Sequence, residues 1–167
     1  MNVKWDYDLK DWQNANPVLY TEKNVLPYSY KFNEDEFNAV LDKKGHQLKT
    51  WGNADSTSEP HWIGVKKQTP LHTDPRYPRY TWHLILRVDN FCLRGINKEE
   101  VVLEDNMLIL LDTHSPHQLL SLSKDALYYF AVSIDSKEIM SKSIAKEKLI
   151  KYAESNTILS HTDRITK

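Results

Sequence analysis

Cysteine occurs once in the 167 residues, at Cys92, so no intrachain disulfide can form and paired-cysteine zinc or redox motifs are excluded. A reducing interior suits such a chain, and a cytoplasmic location is expected. Glycine is also scarce. Gly45, Gly52, Gly64 and Gly95 are the whole complement, and neither GxxxxGK[ST] nor GxGxxG can be written from them, which removes P-loop and Rossmann readings. No sign of charge dominates: 22 Lys+Arg stand against 23 Asp+Glu, a net charge of −1. Without a basic stripe to track a phosphate backbone, nucleic acid is not an expected partner. The opening Met1-Asn2-Val3-Lys4-Trp5-Asp6-Tyr7-Asp8 has no apolar signal region, and no run approaches the roughly 18 apolar residues that span a bilayer, so no membrane association is expected.

What is present describes an ordinary globular chain, 40% hydrophobic and 27% charged, long enough to bury one core. A single domain over residues 1–167 is expected, in three parts. Residues 1–60 read as an N-terminal wrapper rich in Trp and Tyr (Trp5, Tyr7, Trp12, Tyr20, Tyr28, Tyr30), interrupted by Pro17 and Pro27. Within it, Asn33-Glu34-Asp35-Glu36 precedes Phe37, Val40 and Leu41, which predicts a short helix from about Glu34 to Lys43, ended by Gly45. Residues 52–58 are loop chemistry.

Residues 61–135 read as β-structure. Arg79 to Val88 alternates Trp82, Leu84, Leu86 and Val88 on one face with Thr81, His83, Ile85 and Arg87 on the other, the period of two of a strand. A strand entering at His61 and others over Phe91–Arg94, Val101–Leu103, Met107–Leu111, Gln118–Leu122 and Leu127–Ile134 suggest a sandwich or barrel. Residues 136–155 carry Ile139, Met140, Ile144, Leu149, Ile150 and Ala153 among Lys and Glu, which fits an amphipathic C-terminal helix on the outside.

Five of the seven histidines (His61, His72, His83, His114, His117) lie in the β-rich middle. The sharpest constellation is His72-Thr73-Asp74 with Asp112-Thr113-His114-Ser115-Pro116-His117 downstream. Residues i and i+2 of a strand share a face, so His72 and Asp74 can point at one ion, with a later His as the third ligand. Two His and one carboxylate leave three coordination positions open, the arrangement that suits non-heme Fe(II) and oxygen. Asp112 and Asp135 read as turn residues at strand ends. A serine hydrolase is not indicated, since no GxSxG elbow accompanies Ser115.

From about Trp62 to Ile134 the chain resembles the Fe(II)- and 2-oxoglutarate-dependent oxygenases, whose signature is HxD followed by a distal His. Leu110-Leu111-Asp112-Thr113-His114-Ser115-Pro116-His117-Gln118-Leu119 is similar to the distal-His segment of the aspartyl/asparaginyl and prolyl hydroxylase branches. The resemblance implies a mainly β fold, a double-stranded β-helix (jelly-roll, cupin-like) barrel with a flanking N-terminal segment and a C-terminal helix. It implies His72, Asp74 and His117 as catalytic metal ligands, with His114 the rival to His117. The implied cofactors are Fe(II) and 2-oxoglutarate. The implied activity is oxidative decarboxylation of 2-oxoglutarate coupled to hydroxylation of a C–H bond in a small molecule or an exposed protein side chain.

For cosubstrate binding, the resemblance places His83 close to 2-oxoglutarate; the other reading of His83 is a polar residue on the solvent side of its strand. The late Arg usual in the family is missing, since its region is Leu127-Tyr128-Tyr129. Arg87 is the first substitute for the carboxylate grip, Lys124 and Arg79 are the reserves, and Thr69 and Tyr80 are candidate hydroxyl donors. Arg76, Tyr77, Arg79 and Tyr80 follow the first two ligands and suit contacts with an acidic substrate. Two other readings remain: a cupin-like metalloenzyme that does not use 2-oxoglutarate, and a non-catalytic β-barrel binding module.

Overall fold

The computed structural model describes residues 16–43, 59–65, 68–76, 78–97, 99–123, 128–155 and 158–163. The expectations for the first fifteen residues, Gly45, the 52–58 loop, Tyr77, Lys124 and Leu127 lie outside the described residues. Among the described residues the elements follow in the order β1 Val18–Lys23, β2 Ser29–Phe32, α1 Glu34–Lys43, β3 His61–Val65, β4 Tyr80–Ile85, β5 Arg87–Val88, β6 Phe91–Gly95, β7 Glu100–Val102, β8 Met107–Asp112, β9 His117–Ser121, β10 Tyr128–Ser136, α2 Lys142–Glu154 and β11 Leu159–Asp163. The architecture is mainly β. No described helix is long and apolar enough to cross a membrane.

Six strands form an antiparallel sheet in the order β1-β8-β4-β10-β3, with β5 also on β10. A second sheet runs β7-β6-β9. Its free side is extended by residues 69–74: Thr69 N–H donates to Leu119 O at 2.9 Å, and His72 and His117 exchange both backbone hydrogen bonds. From β3 onward, successive segments mostly switch between the two sheets, which pack face to face. Ile63, Val65, Ile85, Ile109 and Leu111 of the larger sheet meet Phe91, Leu93 and Leu119 of the smaller in one apolar cluster. The described strands are not hydrogen-bonded into one closed ring, and the observed form is an antiparallel β-sandwich, one of the two forms that the strand pattern suggests.

Both faces of the central strands β4 and β8 are buried, and this defeats a simple reading of their periodicity. Thr81, His83 and Ile85 of β4 point between the sheets, whereas Trp82 and Leu84, with Leu86 just beyond the strand, pack outward with Phe37 of α1 and Ala145, Leu149 and Ala153 of α2. The Trp82 indole N–H donates to Met140 O at 2.9 Å, so this large ring is buried without an orphaned donor. The predicted strand over Arg79–Val88 is broken at Leu86 into β4 and β5.

The helix predicted over Glu34–Lys43 occupies that span, with its three acids in the first turn. The C-terminal helix starts later than expected. Ser136 is still in β10, paired with Tyr80, and the helix begins at Lys142, with the Ser141 hydroxyl accepting from Ile144 N–H. Ile139 and Ile144 are consequently exposed. β11 was not expected; it pairs through its backbone with β2. Glycine's scarcity is met by asparagine: Asn24, Asn90 and Asn106 take positive φ at turns, Asn106 in the Glu104-Asp105-Asn106 turn.

Candidate metal centre

His72, Asp74 and His117 converge: one ligand atom from each lies within 4.8 Å of the others. His72 Nε2 is 3.6 Å from Asp74 Oδ1, and His117 Nε2 is 3.3 Å from Asp74 Oδ2. The imidazoles lie 4.4 Å apart, inclined at 55°. Backbone pairing creates this. His72 N–H donates to His117 O at 3.0 Å and His117 N–H to His72 O at 2.9 Å, and side chains of such an antiparallel pair rise on the same side. Asp74 is fixed through its own N–H, which donates to Thr113 O at 2.9 Å.

Each imidazole is held in one tautomer. His72 Nδ1 lies 2.6 Å from Pro70 O, and His117 Nδ1 lies 2.8 Å from Ser115 O. A carbonyl oxygen only accepts, so Nδ1 carries a hydrogen in both rings and Nε2 of each faces Asp74. Burial and the neighbouring His117 lower the pKa of His72, which keeps that Nε2 unprotonated. Two imidazole nitrogens and a carboxylate aimed at one point form a donor set for a divalent cation. His117 is the most enclosed, its side chain 4% exposed, whereas His72 is 22% exposed. The rival His114 is not in the group; its backbone N–H donates to Asp112 Oδ1.

Beside Asp74 and His117 a narrow cavity of about 20 Å³ runs between the sheets, lined by Ile63, Thr81, His83, Leu111, Thr113 and Asp135 among others. That volume holds about one water. The interior at this end is polar. Along one row of the larger sheet His61 pairs with Ser133 and Ser133 with His83; along the next, Asp135 pairs with Thr81. His83 is 1% exposed, which overturns the solvent-side reading, and its Nδ1 shares a 2.8 Å hydrogen bond with Ser133 Oγ. Burial, with His61 and His117 adding to it, pushes His83 down to about 3, so the ring is neutral. Asp135 is buried in this interior with His61 Nε2 3.9 Å from its Oδ2, and burial raises its pKa against the opposing pull of His61 and Thr81. Asp135 is thus not the turn residue that its place near a strand end suggested. His61, Ser133 and Asp135 escaped the sequence as a group because only strand register brings them beside His83.

The other candidates lie elsewhere. The Arg87 guanidinium is ion-paired with Asp89 and donates to Val88 O at 3.3 Å; it is not among the residues lining the cavity. Thr69 works in strand pairing, its Oγ1 accepting from Leu119 N–H at 3.0 Å. Tyr80 packs against the outer cluster, with the Arg79 guanidinium 5.2 Å above its ring. Arg79 grips Asp112 through Nε at 3.1 Å and Nη2 at 3.0 Å. The triad therefore fits a divalent metal, and among the described residues the cavity lining adds the carboxylate of Asp135 to that of Asp74 and carries no Arg or Lys. No protein-family model, curated protein or solved structure matches the chain.

Proposed function

We propose that the protein is a non-heme Fe(II)-dependent dioxygenase that hydroxylates a C–H bond of a small molecule or an exposed side chain, with 2-oxoglutarate as the cosubstrate implied by the family resemblance. The observation that carries the reading is the His72-Asp74-His117 group, with both Nδ1 atoms committed to backbone carbonyls and both Nε2 atoms turned to one carboxylate. A ligand set confined to one side of the ion leaves positions for oxygen and a second ligand. Strand order supports the same reading. The segment that carries His72 and Asp74 lies beside β9, which opens with His117, at the free side of the β7-β6-β9 sheet, and this neighbourhood is what the resemblance implies for an HxD motif and a distal His.

In this reading His72 and His117 supply neutral nitrogen donors, and Asp74 supplies the negative charge that favours a divalent ion. Bound Fe(II) would supply oxygen activation. His83, Thr81 and Asp135 line the inner wall and orient whatever reaches past the ligands, while Leu111 and Ile63 limit water there.

One observation favours a second reading, a cupin-like metalloenzyme that does not use 2-oxoglutarate. Arg87 is engaged with Asp89, and the described lining of the cavity carries Asp135 and no Arg or Lys to grip a second carboxylate.

An anaerobic titration of metal-free protein with Fe(II), then 2-oxoglutarate, separates these. The expected result is a visible metal-to-ligand charge-transfer band that needs both additions and is absent in Asp74→Ala. Iron binding without the band selects the second reading, and failure to bind iron selects the non-catalytic module.

A further inference from the structure

The turn that carries His117 is organised around a buried carboxylate that touches no metal position. Asp112 ends β8 with its side chain 7% exposed. Its oxygens accept four donors: Arg79 Nε at 3.1 Å, Arg79 Nη2 at 3.0 Å, His114 N–H at 3.1 Å and Ser115 Oγ at 3.1 Å. Ser115 N–H also returns to Asp112 O at 3.0 Å. With its accepting positions taken by donors of its own turn and by Arg79, this carboxylate is not available as a ligand.

Two ligands depend on what Asp112 holds. The Ser115 carbonyl receives His117 Nδ1–H, so the place of Ser115 sets the tautomer and tilt of the His117 ring. The Thr113 carbonyl receives Asp74 N–H, and Thr113 is itself tied to Arg79 by N–H to Arg79 O at 2.8 Å and by Oγ1 to Arg79 O at 3.1 Å. Arg79 therefore reaches the turn twice, once through its backbone and once through its guanidinium. A bidentate charge-assisted pair with a buried carboxylate is directional as well as strong, and partners outside the ligand shell ordinarily affect metal affinity by aiming the ligands.

We propose that Asp112 and Arg79 are positioning residues of the metal centre, a clamp that holds the 112–117 turn so that His117 Nε2 and Asp74 are aimed at the ion before it arrives. The proposal rests on the metal-centre reading above and is independent of the cosubstrate. Loss of the clamp leaves all three ligands in the chain but unaligned, so affinity falls while folding is retained.

The test uses Co(II) as probe, anaerobically, on the full chain, reading affinity by calorimetry and ligand geometry by the visible d–d bands. Asp112→Asn is expected to weaken binding about tenfold and to change the band pattern, with far-ultraviolet circular dichroism unaltered. Arg79→Gln, on a side chain 50% exposed, is expected to act in the same direction, and Arg79→Lys to recover only part of the loss because it keeps the charge but not the fork. Should Asp112→Asn fail to fold, Arg79→Gln decides. Wild-type affinity and bands in a folded Arg79→Gln protein would overturn the clamp alone. A wild-type protein that binds no Co(II) would overturn the metal centre and the clamp with it.

Discussion

His72 and His117 face each other across an antiparallel bridge, each donating its N–H to the other's carbonyl at 3.0 and 2.9 Å. The bridge joins a histidine that precedes β4 to one that opens β9, and it makes backbone pairing, not side-chain packing, the element that brings the two imidazoles to 4.4 Å. Asp74 is then carried in by chain continuity from His72 and by its bond to Thr113. Such a site is assembled before any ion is present, which reduces the ordering that binding would otherwise require.

Removing the charge at the centre should abolish metal binding without unfolding the protein. Asp74→Ala is expected to weaken Co(II) or Fe(II) binding by more than the roughly 10–100-fold that loss of an outer-shell partner produces. Thermal unfolding of the metal-free variant should lie close to that of the parent, because the Asp74 N–H bond to Thr113 O is made by the backbone and Ala keeps it. Calorimetry and a melting curve on the same samples check both halves.

Acid should destabilise the metal-free protein earlier than carboxylate protonation alone would. His83 has an ordinary value of 6.5 and is pushed down to about 3 in the fold, so below pH 6.5 the unfolded chain binds a proton that the folded chain refuses. Stability from this group is complete above about pH 6.5 and declines as pH falls toward 3. Between pH 7 and pH 5 the decline is about 2 kcal/mol, and His72, also lowered, adds in the same direction. Urea unfolding at the two pH values measures it, and His83→Gln should flatten the slope.

Cosubstrate dependence should follow His83 and not Arg87. Arg87 is paired with Asp89 away from the cavity, whereas His83 lines it. If the parent gives a 2-oxoglutarate-dependent charge-transfer band, Arg87→Gln should retain it and His83→Ala should lose most of it. The reverse pattern would make Arg87 the carboxylate grip and require its ion pair to open.

The outer cluster should affect stability and spare the site. Leu149 of α2 is fully buried against the face of the larger sheet that carries Trp82. Leu149→Ala is expected to cost about 3 kcal/mol in denaturant unfolding with metal affinity unchanged, since the ligands lie on the other side of that sheet.

Asn106 combines a left-handed backbone at φ 65 with two side-chain hydrogen bonds, its Oδ1 accepting from Leu26 N–H at 2.7 Å and its Nδ2 donating to Leu26 O at 2.9 Å. Asn106→Gly keeps the backbone and loses both bonds; Asn106→Ala loses the bonds and adds roughly 1–2 kcal/mol of left-handed strain. Melting temperatures should therefore fall in the order Asn, Gly, Ala.

The helix at Glu34–Lys43 and the strands around Met107–Asp112 and Phe91–Gly95 were legible because capping acids and apolar periodicity are local properties of the chain. His72 and Asp74 as a pair were legible for the same reason: their two-residue spacing already puts them on one side of an extended segment. β11 left no comparable signal, because Leu159–Asp163 is held by backbone pairing with β2. Nor could the helix start be read at Ser141, because Ser136 to Met140 carries the same composition as the helix after it. Tertiary structure alone decided between His114 and His117, which share a turn and differ only in which one the bridge to His72 selects. It also decided that Arg87 turns to Asp89, and that His61, Ser133 and Asp135 stand beside His83. Those last relations depend on strand register and on which of two buried faces looks between the sheets, and a period of two is the same for both faces.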